Sequence, residues 1–191
     1  MTSALGEQET GIWMRMRRIF GYAALASLLA TLIFLWMLLR KPALPFPETS
    51  DEAAASFNDK IARLATANDF GVPSELHLTS AELNSQIQQW LKANPQPPGT
   101  ATMTNGAIHL EGDRMIVILL FDVRGFDVYM TIDGNLLFTN HIVRLVPAEV
   151  HIGSTPVPVT LLEGKIDLQM ELPEAVTAIR VENGELVIEA Q

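Results

Sequence analysis

The stretch from Ala107 to Leu145, AIHLEGDRMIVILLFDVRGFDVYMTIDGNLLFTNHIVRL, decides the fold. Its apolar residues recur at every second position, the period of a strand with one face buried. Glycine-bearing breaks punctuate it. Gly112-Asp113 joins Ala107–Glu111 to Arg114–Val123, and Arg124-Gly125 joins that strand to Phe126–Ile132. Asp133-Gly134-Asn135 then leads into Leu136–Leu145. Tight turns at these places predict cross-strand partners. Ile108 faces Val117, Phe121 faces Val128, Leu119 faces Met130, Ile132 faces Leu136 and Met130 faces Phe138. All of these lie on one face of a four-stranded antiparallel meander, and a slip of one residue would scatter them.

The opposite face carries Ile116, Ile118, Leu120, Tyr129, Thr131, Leu137 and Thr139. That is too apolar for a solvated face, so a helix, a partner or a lipid is expected to cover it. A helix is the usual cover in an α+β domain. The same register sets Asp122 opposite Asp127 and Asp127 opposite His141. Like charges directly opposite destabilise a sheet, so this row asks for a protonated His141, a nearby Arg124, a bound cation or open water. It reads either as an acid/base pair or weak metal site, or as a solvated sheet end.

Upstream, Thr79-Ser80-Ala81-Glu82 is a capping box flanked by Leu78 and Leu83, which form a hydrophobic staple. Leu83, Ile87, Trp90 and Leu91 then form one stripe of a helix that ends in the loop NPQPPG, Asn94 to Gly99. An earlier helix runs from Asp51 to Asn68, with Phe57, Ile61 and Leu64 at helical spacing and Gly71-Val72-Pro73 as its stop. Downstream, Thr155-Pro156 opens a third helix carrying Val159, Leu162, Ile166 and Met170 to about Leu172. Asn183-Gly184 turns a final hairpin that pairs Val181 with Leu186 and Ile179 with Ile188.

The N-terminal region sets the expected location. Ile19 to Leu39 is uncharged throughout. As a helix it would extend roughly 32 Å, enough for a hydrocarbon core of about 30 Å. Arg15, Arg17 and Arg18 precede it, while Arg40 and Lys41 follow. This bias favours a cytoplasmic N-terminus. The run is too long for the core of a signal peptide and lacks a small-x-small cleavage site, so an uncleaved single-pass anchor is expected. The expected organisation is a cytoplasmic tail over 1–18, a transmembrane helix over 19–39, a proline-rich spacer over 40–50 and an extracytoplasmic α+β domain over 51–191. Pro42, Pro45 and Pro47 make the spacer extended and semi-rigid.

Composition removes several function classes. After Lys41 the chain carries eight basic and twenty acidic residues, a balance near −12. This disfavours nucleic acid and anionic lipid head groups, which need clustered Lys and Arg. With no cysteine there is no disulfide, thiolate metal site or Cys nucleophile. His77, His109, His141 and His151 show none of the metal-hydrolase spacings, and no P-loop, GxGxxG or GxSxG motif occurs. No metal and no cofactor are expected.

TSAELNSQIQQWL resembles the LT-x-x-ELN helix of the YpmS-like family of membrane-anchored bacterial proteins. GFDVYMTIDGNLLF followed by VHIGSTPVPVTLLEG resembles that family's sheet and its Gly-x-x-Pro-(x)-Pro entry into a helix. The resemblance covers Ser74 to Glu189 and rests on structural punctuation. It implies an extracytoplasmic domain on a single span, with no established activity and no catalytic residues to transfer.

The leading expectation is therefore a non-enzymatic binding module for lipid or another hydrophobic ligand at the cell membrane. Ile116, Ile118, Leu120, Tyr129 and Leu137 would line the site. Sealing of these residues under helices with no cavity would remove that expectation. The alternative is an assembly partner of a cell-envelope complex. The third reading is a hydrolase using Asp122, Asp127 and His141, which requires those side chains to converge.

Overall fold

The computed structural model describes residues 22, 25–95, 101–161 and 169–191. The chain forms two units, Met1–Leu38 and Leu39–Gln191. In the first, residue 22 and residues 25–38 are helical (α1), the run 25–38 rising about 21 Å. Among the described residues no helix is long and apolar enough to cross a membrane. This corrects the spanning helix expected over 19–39. Residues 19–21, 23 and 24 of that run, and the tail over 1–18, lie outside the described residues.

The second unit opens on a segment without regular secondary structure, bent at residues 43 and 44, and then α2, Asp51–Asp69. Ser50 caps α2 by accepting from the Ala53 amide at 3.0 Å, and Asp51 and Glu52 in the first turn suit the helix dipole. Gly71 follows the helix at φ 62°. The next element is a strand that the sequence reading lacks: β1, Ser74–Thr79, with Leu76 and Leu78 buried. It runs directly into α3, Ser80–Ala93, where the capping box forms as its sequence requires. The expected loop after α3 falls largely on residues 96–100, outside the described residues.

Then come β2 (Thr102–Glu111), β3 (Arg114–Val123), β4 (Phe126–Thr139) and β5 (Ile142–Ile152). They form an antiparallel meander in which Ile108–Val117, Leu119–Met130 and Phe121–Val128 pair as expected. The third break differs. Asp133-Gly134 is not a turn, and β4 runs through it to Thr139. The register shifts at Asp133/Gly134, opposite Pro147 to Glu149, as in a β-bulge. A Cβ on Gly134 would lie 2.2 Å from the Val146 carbonyl oxygen, so only glycine admits the close approach of β5. The chain reverses instead at Asn140 and His141, both left-handed at φ 52° and 61°. Leu136 therefore pairs with Leu145 and Phe138 with Val143, not with Ile132 and Met130.

Where the expected third helix falls on described residues, other elements form. Thr155–Pro156 is a short strand (β6) on β5, Val159–Leu161 is a 3-10 turn, and Gln169–Glu171 is a strand (β7) on β5. Residues 162–168 lie outside the described residues. The free backbone of β5 supplies the physical reason: β6 and β7 satisfy parts of it that a helix would leave open. The meander is thus the centre of a six-stranded sheet. The C-terminal hairpin, β8 (Val176–Glu182) and β9 (Glu185–Ala190), turns at Asn183-Gly184 as expected and joins β1 in a separate three-stranded sheet, ordered β1-β9-β8.

The main core lies between the sheets and helices and includes Leu76, Leu78, Leu110, Ile132, Leu145 and Leu186. One edge of the large sheet is closed by α3. Ser80 Oγ accepts from the Leu110 amide at 3.0 Å, and Asn84 exchanges bonds with Ile108, accepting at 2.6 Å and donating at 2.7 Å. Gln88 donates to the Gly106 carbonyl at 3.2 Å. Four helical residues rise about 6 Å and two strand residues about 6.7 Å, so side chains four apart meet backbone groups two apart.

Candidate functional site

The second apolar face of the large sheet has a cover, and the cover is not a helix. Residues 42–47, read from sequence as a spacer, lie over it. Leu44 and Phe46 pack on Ala107, Ile116, Ile118 and Tyr129, with Leu120 half-buried beside them. The Phe46 and Tyr129 rings are tilted at 48° with centroids 6.3 Å apart. Burial alternates along this strap, with Pro42, Leu44 and Phe46 turned in and Ala43 and Pro45 out. Its prolines lack amide donors, so the strap is unsuited to a ladder with the sheet.

The five expected lining residues therefore divide. Ile116, Ile118 (0% exposed) and Tyr129 are sealed. Leu120 stands at the margin. Leu137 is 53% exposed, at the far end of β4. There it shares a face with Ile142 and Val146, both exposed, and with Arg144, which donates to Gln169 at 2.7 Å. Between the two zones Arg114 Nε donates to Asp133 Oδ1 at 3.0 Å.

The polar row does not assemble. Asp122 and Asp127 are opposite one another as expected, but Asp122 Oδ1 accepts from the Gly125 amide at 2.6 Å and so serves the turn. His141 sits in the reversal after β4, not opposite Asp127. Its Nδ1 is 3.2 Å from the Val176 carbonyl oxygen and its ring meets Phe138 edge-on. The displacement follows directly from the continuous β4. A hydrolase built on Asp122, Asp127 and His141 loses the convergence it requires. The other histidines are dispersed. His77 lies 2.9 Å from Glu185 Oε2, His109 sits opposite Ile116 with a buried, unpartnered Nε2, and His151 sits opposite Thr131. Among the described residues no group of His, Asp and Glu could hold a metal ion.

A second polar centre lies between the helices. Glu82 is buried, and Lys60 Nζ lies 2.7 Å from its Oε1. Ser56 Oγ donates at 2.5 Å, and the Thr79 amide at 2.9 Å. Burial alone would raise the Glu82 carboxyl. The donors from Lys60, Ser56 and Thr79 outweigh it and hold the pKa down at about 2. The arrangement fastens α2 to the start of α3, a structural role with no substrate access implied. The sequence signal for it was the capping box, but nothing local marked Lys60 as the partner.

No family model, no curated protein and no solved structure matches the chain, so the resemblance drawn above rests on the quoted residues alone.

Proposed function

We propose that this protein is a non-enzymatic binding module that works at the outer surface of a cell membrane and takes a lipid or another hydrophobic ligand on the strap-covered face of its large sheet. The observation that carries this reading is the nature of the cover. An apolar face that serves only as core is ordinarily closed by a helix, which brings a broad apolar stripe and satisfies its own backbone. Here two side chains, Leu44 and Phe46, do the covering from a proline-rich segment without regular secondary structure. Such a cover can be exchanged for an apolar chain at modest cost. The location is supported by the uncharged run ahead of the strap and by α1, where Leu28, Leu32 and Phe34 are all exposed and need apolar surroundings.

A second reading, an assembly partner of an envelope complex, is favoured by the strip Leu137, Ile142 and Val146, which the strap does not reach. Native mass spectrometry of the full chain, extracted in mild detergent without delipidation, tests both. The module reading expects a lipid-sized adduct that rises in occupancy in Phe46→Ser and disappears in Leu120→Glu. A bare mass in both the wild type and Phe46→Ser overturns it, and a stoichiometric protein partner in the same extract moves the assignment to the second reading.

A further inference from the structure

The hairpin of β4 and β5 outruns its neighbour. β3 pairs with β4 only as far as Met115–Gly134, so Asn135–Thr139 and the returning Ile142–Val146 continue beyond it. One face of this extension carries Leu137, Ile142 and Val146, exposed by 53%, 39% and 44%. Leu137 is directly opposite Arg144. Ile142 and Val146 therefore take its two diagonal positions, about 7–8 Å away. Three apolar residues thus surround one exposed arginine. Among the described residues Arg144 has no carboxylate partner. Its one side-chain bond runs from Nη2 to Oε1 of the neutral Gln169, at 2.7 Å. Arg63, Arg114 and Arg180 are all in ion pairs. Even Glu171, in register with Ile142 on β7, makes none with Arg144. After Lys41 the chain has twenty acidic residues against eight basic ones, so carboxylates are not scarce. Most donors of this guanidinium remain open.

We propose that this face of the β4–β5 hairpin docks on a phospholipid surface, with Leu137, Ile142 and Val146 entering the acyl boundary and Arg144 pairing with phosphate oxygens. Charge and apolarity together select that partner. A guanidinium offers several donors to one phosphate, and its stem lies along apolar matter. A free phosphate ion would use Arg144 and none of the apolar residues around it. A purely apolar ligand would leave the guanidinium unmet. The acidic balance after Lys41 opposes strongly anionic membranes, so zwitterionic phospholipid is the fit. Chain connectivity agrees. The strap over residues 42–47 lies on this same sheet face, and it starts three residues after the uncharged run that ends at Leu39. The docking rests on the membrane-surface reading, but not on a ligand beneath the strap.

The chain has no cysteine, so Thr139→Cys, opposite Ile142, and Thr177→Cys on β8 each give the full chain a single NBD label at an exposed position. Each labelled protein is placed in phosphatidylcholine nanodiscs with and without doxyl-labelled phosphatidylcholine. The expected result is quenching and a blue-shifted emission at 139, and neither at 177. Both signals should be lost in Leu137→Ser/Val146→Ser, which changes only exposed side chains and leaves the core intact. Arg144→Gln should reduce them. Equal quenching at the two positions, or quenching at 139 unchanged by either variant, overturns the proposal. No quenching at 139 also overturns it, and with a stoichiometric protein partner in the detergent extract the strip passes to that partner. Quenching without a lipid adduct by native mass spectrometry keeps the docking and removes the ligand beneath the strap; an adduct without quenching does the reverse.

Discussion

Replacing Glu82 by Gln should destabilise the protein at neutral pH and have almost no effect in strong acid. The side chain of Glu82 is 7% exposed and that of Lys60 33%. The folded carboxyl titrates at about 2 instead of the ordinary 4.5. Each unit is worth about 1.4 kcal/mol, so the full difference comes to roughly 3 kcal/mol. Water reaches Lys60, which screens part of its contribution and leaves about 2–3 kcal/mol. The sign follows from the depressed folded pKa: the stabilisation is complete above about pH 4.5 and is lost as pH falls toward 2. Gln keeps the shape of the side chain and an oxygen for the Thr79 amide but carries no charge for Lys60. It therefore mimics the protonated wild type. Urea unfolding of the full chain in mild detergent, followed by circular dichroism at pH 7 and pH 2.5, reads the difference directly. A gap of 2–3 kcal/mol at pH 7 that narrows to below about 1 kcal/mol at pH 2.5 is the expected outcome. A gap below about 0.5 kcal/mol at pH 7, or one that does not change with pH, would refute the linkage. Lys60→Met gives an independent check, since in the double variant with Glu82→Gln its cost should be much smaller than in the wild type.

Gly134→Ala should cost about 2–4 kcal/mol or shift the bulge, because the new Cβ would meet the Val146 carbonyl oxygen at 2.2 Å and backbone cannot yield as a side chain does; a change in Tm of less than 2 °C would count against the register described. Asn84→Leu should cost about 2–4 kcal/mol by leaving the Ile108 amide and carbonyl buried without partners. Hydrogen exchange at Ile108 should rise in that variant, and an unchanged rate would show that Asn84 does not close the strand edge.

What the sequence made legible, and what it hid, divides along the cause of each glycine and proline. Gly112, Gly125 and Gly184 are turn glycines with φ of 63°, 87° and 79°, and the sequence placed the three turns correctly. Gly134, in Asp133-Gly134-Asn135, also carries a turn signal, but it is selected by the proximity of another strand, which no local pattern records. The true reversal at Asn140-His141 contains no glycine and so passed unseen. One misplaced turn moved His141 and created the apparent row with Asp122 and Asp127. β1 was missed because Leu76 and Leu78 alternate over only six residues immediately before a helix cap, which dominates the local reading. In the strap the prolines marked a segment outside helix and strand, and residues 42–47 have no regular secondary structure. The alternation of Leu44 and Phe46 between them was the signal that this segment lies against a surface.

The partly closed edges of the large sheet limit how this protein can recognise a partner. Strand addition is a common way for a sheet to take a peptide, and it needs a row of free backbone amides and carbonyls. On β2 that row is already used, since Gly106, Ile108 and Leu110 are bonded to Gln88, Asn84 and Ser80. On β5, β7 holds Ile142 to Arg144 and β6 holds His151 and Ile152. Specificity through backbone pairing thus has little room on this sheet, and recognition falls to side-chain surfaces. Such apolar surfaces include the face beneath Leu44 and Phe46 and the groove lined by Phe57, Leu83, Ile87 and Trp90. The polar side chains of α3 close the β2 edge, while one apolar face is covered by Leu44 and Phe46 of the strap and a groove beside α3 is bordered by the exposed Trp90. That distribution favours a hydrophobic ligand over a peptide strand as the occupant of either surface.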